Sequence, residues 1–181
     1  MAGIYFIAAG VAHGSENRKR SLDHALSADE LCEHCSPEDQ RRLSDHFAKN
    51  DHVFAWGANR VGDLDRLEAG DPVVDVKDKY VNWIFQYKFM IQTHNTYLQE
   101  WIQWDKEKAA ENRRPYQIVY FLGGRQSTKR TNKSYFQKAF GLEGDRDWLR
   151  GQRWFNDAEI QAARDQVSAL SLEEFLGIDK P

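Results

Sequence analysis

Trp56-Gly57-Ala58-Asn59 is the stretch of this chain whose residue types most directly suggest recognition chemistry. An indole offers a broad apolar face and a single donor, and an asparagine amide can donate and accept at once. Trp83 and Tyr87 lie four residues apart in a segment that alternates apolar and polar residues, a spacing that puts both rings on one side of a strand. Together these residues have the makings of a cage for a flat heterocycle: Trp56 and Trp83 as walls, Tyr87 beside them, and Asn59 at the edge. A base stacked on an aromatic ring gains on the order of 1–3 kcal/mol whatever its identity, and a buried methyl adds roughly 0.8 kcal/mol. Discrimination between bases must therefore come from polar atoms at the edge. The plain alternatives are core packing for the tryptophans and a turn for Asn59.

A second constellation is electrostatic. Net charge is −3, yet between Arg113 and Lys138 there are seven basic residues and no Asp or Glu, while the remaining chain carries 18 basic against 28 acidic. One basic face on an acidic body is a layout suited to phosphate, with a merely solvated face as the bland alternative. Gly123-Gly124-Arg125-Gln126-Ser127-Thr128-Lys129-Arg130 is expected to link a strand to a helix. Its glycines would let the backbone approach a phosphate, with Arg125, Ser127, Thr128, Lys129, Arg130 and then Lys133 supplying donors. The spacing is not that of a nucleotide-hydrolysing P-loop.

Three rival sites are weaker. Asp71, Asp75 and Lys77 imitate the carboxylates and lysine of a Mg²⁺-dependent nuclease, but they crowd into a turn and a hairpin. Cys32-Glu33-His34-Cys35 is a single pair of thiols within an expected helix, without the second pair a zinc site needs. Trp154-Phe155, preceded by Arg150 and Arg153, offers either a stacking and phosphate loop or a hydrophobic staple before a helix.

Composition is that of an ordinary soluble domain, with 181 residues, six Trp and two Cys. The length suits one domain, and the cysteine count suits a reducing cytoplasm. Apolar Gly3–Val11 is too short for a membrane span and lacks the basic lead of a signal peptide. No cofactor motif is present.

The elements that would position these residues follow from local signals. Strands are expected at Gly3–Ala9, His52–Trp56, Pro72–Val76, Tyr80–Ile91 and Tyr116–Leu122, with a loop from Val11 to Ala25. Ser27, Ser36, Asn156 and Ser171 read as helix caps, with helices to about Lys49 and Leu170 after Ser36 and Asn156. Further helices are expected over Asn95–Glu107 and Asn132–Phe140. The sum is α+β: a curved sheet of five to six strands, or a small barrel, flanked by helices. The chain reads as a single domain, 1–181, with a helical insert at about 26–49 and a helical extension at about 141–177.

The ordered set of Ile4-Tyr5-Phe6-Ile7, Val53-Phe54-Ala55-Trp56 with Asn59, and Leu67-Glu68-Ala69-Gly70-Asp71-Pro72-Val73-Val74 resembles the YTH and EVE domains of the PUA-like superfamily. Among these the resemblance is to the N-terminal readers of McrB-type, modification-dependent restriction systems. It implies a small barrel that holds a flipped, methylated base in an aromatic cage. It also implies a DNA partner rather than single-stranded RNA, and an effector nuclease or NTPase in another domain or subunit. The chain itself would be a binding module and not an enzyme. An RNA-reading relative of the same kind is the alternative, and a nuclease using Asp71, Asp75 and Lys77 the second.

Overall fold

The computed structural model describes residues 3–8, 13–48, 51–58, 62–92, 97–102, 116–144 and 152–178. Its strands are β1 (Gly3–Ala8), β2 (Leu26–Ser27), β3 (His52–Ala58), β4 (Pro72–Lys77), β5 (Tyr80–Gln92), β6 (Ile118–Ser127) and β7 (Gln152–Asn156). Its helices are α1 (His13–Ser21), α2 (Ala28–Glu33), α3 (Pro37–His46), α4 (Tyr97–Ile102), α5 (Lys133–Ala139), α6 (Asp157–Gln166) and α7 (Leu172–Leu176), with a 3₁₀ turn at Gly62–Arg66. The fold is α+β, and the seven strands run in the order β2-β3-β6-β5-β4-β1-β7. Only β1 and β4 pair in parallel among the registers described, and no barrel closes among the described residues. No described helix is long and apolar enough to cross a membrane.

The chain divides into two compact units, one of Met1–Gly10, Asp63–Gln86 and Gly124–Pro181, the other of Val11–Gly62 and Tyr87–Gly123. In the first unit the hairpin of β4 and β5 turns through Asp78, whose left-handed φ of 58° an aspartate tolerates better than most residues. The core gathers Ile4, Phe6, Val74, Val76, Val81 and Ile84 from the sheet, with Phe136 of α5, Ile160 and Ala163 of α6, and Phe175 and Leu176 of α7. Phe6 is central. It meets Phe136 at 5.3 Å, Phe155 at 5.7 Å and Phe140 at 6.1 Å between ring centroids, each edge to face.

The expected alternation along β5 breaks near its start. Val76 faces Val81 and Asp75 faces Trp83, so Asn82 is an extra residue without a counterpart on β4. A bulge of this kind reverses the side on which later residues fall. Val81 and Ile84 thus share the core, and Trp83 is left half-buried outside it.

In the second unit β3 pairs with β2 and, from Phe54↔Leu122 to Ala58↔Ile118, with β6. Leu31 of α2, Leu43 of α3, and Leu98 and Ile102 of α4 pack with Val53, Ala55, Val119, Phe121, Phe89 and Ile91. Ser27 and Ser36 cap α2 and α3 as expected, accepting from the backbone of Glu30 and Asp39. Helix α3 stops at His46 rather than Lys49, because Phe47 turns extended to bury its ring.

The expected loop at Val11–Ala25 contains α1. This helix has no apolar stripe, and its buried residues are polar, Asn17, Arg18 and Ser21: Arg18 donates from Nη1 to both carboxylate oxygens of Asp23, at 2.7 and 2.9 Å. Segment 152–156, read as a loop, is strand β7, because its antiparallel partner is β1 at the other end of the chain. Helix α6 ends at Gln166, four residues earlier than expected, and Ser168 follows with a left-handed φ of 55°.

Replacing Phe6 with Ala is expected to cost about 3–5 kcal/mol of stability in denaturant titration, since it empties the middle of a close-packed aromatic cluster. Leu170→Ala, at a residue 89% exposed, should change it by less than about 0.5 kcal/mol.

Candidate nucleic-acid interface

The first unit carries a basic, aromatic surface where β5 begins and β6 ends. β6 does not stop at Leu122 but continues to Ser127, so the glycine-rich stretch expected as a loop is mostly strand. Gly124 makes that possible, since its φ is 57° and a Cβ there would lie 3.1 Å from the Gln86 amide. Beyond it Arg125, Gln126 and Ser127 are exposed. The guanidinium carbon of Arg125 sits 4.5 Å from the centre of the Trp83 ring, and that of Arg130 sits 5.3 Å from the centre of Tyr80. Each stack is worth about 0.5–1 kcal/mol at an exposed site, and it fixes the orientation of a planar cation.

The turn that carries Arg130 is strapped to β5. Thr128 Oγ1 donates to the Val81 carbonyl at 3.0 Å and accepts from the Arg130 amide at 3.2 Å. The Val81 amide donates to Thr131, Lys133 to Lys79, and Lys129 to the Gly177 carbonyl, each at 2.8–2.9 Å. These bonds hold Arg130 at a left-handed φ of 55°, an uncommon conformation for a residue with a Cβ. Of the residues expected to contact phosphate, Arg125, Ser127, Lys129 and Arg130 are exposed and Lys133 is half-buried at the start of α5. Thr128 is buried, and its hydroxyl is engaged in the strap. Arg113 and Arg114 lie outside the described residues.

The residues expected to form a cage are distributed over the chain. Trp83 belongs to the first unit. Trp56 and Tyr87 belong to the second and are 7% and 5% exposed, with Trp56 opposite Tyr120 in the β3–β6 ladder. Burial pushes the Tyr87 phenol up to about 12, against a smaller opposing pull from Arg42. Asn59 lies outside the described residues. Sequence reasoning passed over Tyr116, whose ring lies so close to Gly57 that any Cβ there would meet it at 2.5 Å. Its hydroxyl accepts from Asn17 Nδ2 at 3.3 Å. The signal available was the glycine directly after Trp56.

The acids of the nuclease reading hold structural places. Asp71 accepts from the Glu68 amide at 3.0 Å and closes the turn into β4. Asp75 is fully buried within β4, and Lys77 is exposed at the hairpin. No group of three His, Cys, Asp or Glu residues that could hold a metal ion occurs among the described residues. Trp154 lies in β7 against Gly3, with the Arg66 guanidinium carbon 5.1 Å from its ring centre. The backbone carbonyls of Cys32 and Cys35 both accept from Gln40 Nε2, at 2.7 and 3.1 Å.

Burial, then the charges of Asp39 and Cys32, push the Cys35 thiol up to about 12. Only the thiolate reacts with alkylating agents, so Cys35 is expected to react at pH 8.5 more than about a hundredfold slower than a free thiol. Mass-spectrometric timing of iodoacetamide labelling checks this, and labelling at a free-thiol rate would contradict it.

No protein-family model and no curated protein matches the chain. Among solved structures it is similar to the N-terminal domain of Thermococcus gammatolerans McrB bound to m5C DNA. That match has a TM-score of 0.61 and 11% identity, and covers 92% of this chain and 97% of that one. At this identity the likeness is one of fold, and it is the fold that the ordered motifs of the sequence led one to expect.

Proposed function

We propose that this chain is a DNA-binding reader of a modified base, and that the paired stacks of Arg125 on Trp83 and Arg130 on Tyr80 are its backbone-gripping surface. Those two stacks carry the reading. A guanidinium already seated on a ring has lost much of the freedom it would otherwise lose on binding phosphate, and its donors pair with phosphate oxygens in a fork. Ser127, Lys129 and Lys133 extend the same surface. The outer face of each guanidinium is also a platform on which a splayed-out base can stack. Support for a modified base comes from the shared fold with a domain bound to m5C DNA.

In this reading Trp83 is the wall behind Arg125, and the outer face of that guanidinium meets the base. The burial of Trp56 and Tyr87 favours a core role for both. The domain makes no bond itself. It targets an effector nuclease or NTPase of a cytoplasmic defence system, carried by another domain or subunit.

Fluorescence anisotropy with matched m5C and unmodified duplexes tests the proposal. Tighter binding of the modified duplex is expected. Arg125→Ala and Arg130→Ala should weaken both duplexes alike and each lower the slope of log affinity against log salt by about 1. Equal affinity for the two duplexes would sink the modified-base reading, and an unchanged salt slope would sink the assigned surface. Mg²⁺-dependent cleavage lost in Asp75→Ala would put a nuclease in its place. A preference for methylated single-stranded RNA would put an RNA reader there.

A further inference from the structure

Two thiols of the second unit stand where α2 gives way to α3, and none of the roles assigned so far uses them. Cys32 lies in the last turn of α2, and Cys35 directly precedes Ser36, the cap of α3. The Cys35 amide donates to the Cys32 carbonyl at 3.2 Å and closes a turn between them. A turn closed in this way brings its end Cα atoms within about 7 Å, and a disulfide asks for roughly 4.4–6.8 Å. Both side chains are partly buried against the same apolar cluster, the one that holds Leu31, Leu43 and Phe47, so the two thiols leave the turn on one side.

We propose that Cys32 and Cys35 form a reversible dithiol–disulfide site that exchanges with a low-molecular-weight disulfide of the glutathione kind. The Cys32 thiol gives its proton to solvent and attacks one sulfur of that disulfide, while the other sulfur leaves with the electron pair and takes up a proton. Cys35 then loses its proton and attacks Cys32 Sγ, which expels the second sulfur in the same way. Two protein thiols are oxidised, and one small disulfide is reduced to two thiols. Cys32 opens the exchange because burial, then the charges of Asp39 and Cys32, hold the Cys35 thiol protonated. Cys32 is itself raised, by burial and then by Asp29, so closure is slow at neutral pH.

Gln40 of α3 is the positioning residue. Its Nε2 donates to the carbonyls of both Cys32 and Cys35, at 2.7 and 3.1 Å, and so ties down the two ends of the turn. A second hold comes from His34 inside the turn, whose ring stacks on Trp101 of α4 at 4.8 Å and 23°. The dithiol form therefore already has the backbone that the disulfide needs, and little freedom remains to be lost on closure.

The test holds the whole chain to equilibrium at pH 8.5 in buffers of graded glutathione to glutathione disulfide ratio. The reaction is stopped with acid, free thiols are blocked, and the products are weighed by mass spectrometry. A species lighter by two hydrogens, with no blocking group and no glutathione attached, is expected, and Cys32→Ser should abolish it. Gln40→Leu, shown to fold by thermal unfolding, should lower the closure constant on the order of tenfold. The parent chain unfolded in guanidinium chloride should lower it as well, which keeps the proposal testable if Gln40→Leu fails to fold. Both thiols free in the most oxidising buffer, or glutathione that stays on Cys32, overturns the site. A closure constant no higher in the native chain than in the unfolded one overturns the preset turn, and an unchanged constant in folded Gln40→Leu overturns the role of Gln40.

Discussion

Asn82 is one residue too many for the ladder between β4 and β5, and much of the first unit's arrangement follows from that surplus. Without the register shift, Val81 and Trp83 would fall on the same side, and either an indole would enter the aromatic cluster around Phe6 or Val81 would leave it. With it, Val81 and Ile84 close the core and Trp83 stands outside, where Arg125 covers it. The same stretch of β5 supplies the Val81 carbonyl that anchors Thr128 and hence the turn bearing Arg130. A local irregularity in pairing thus sets both the hydrophobic core and the cationic surface, a common use of bulges beside functional sites.

The charges of this unit are separated by sign. Arg125, Lys129 and Arg130 lie along the end of β6 and the turn after it, while Glu68 and Glu173 stand at a cleft between the turn at 68–72 and α7. The segregation was partly visible in the sequence as a basic window free of acids. Its acidic counterpart was not, because Glu68 and Glu173 are far apart in sequence and line one cleft only through the placement of α7.

What the sequence made legible was what single side chains do to their own backbone. Ser27, Ser36, Asn156 and Ser171 all cap the helices they precede, since each acts on an amide three residues away. The hidden parts depended on distant partners. Helix α1 lacks a periodic apolar face and buries an arginine paired with Asp23, β7 exists only because β1 lies beside it, and the bulge requires the register of two strands. At the interface the exposed cations of β6 could be read from charge alone. The structural duty of Thr128 could not, because a hydroxyl in a basic run looks the same whether it faces solvent or a carbonyl.

The pairing of β1 carries a consequence for how the chain is made. Gly3–Ala8 is apolar and almost wholly buried, yet its neighbours are β4 and then β7, near the far end of the sequence. At about 5–20 residues per second of synthesis, the strand emerges on the order of ten seconds before β7 is available to cover it. Until β4 and then β7 emerge, it is a short, uncharged β-forming segment with open edges. The nascent protein must therefore be kept from sticking to its neighbours until β7 emerges, which makes chaperone supply a determinant of yield.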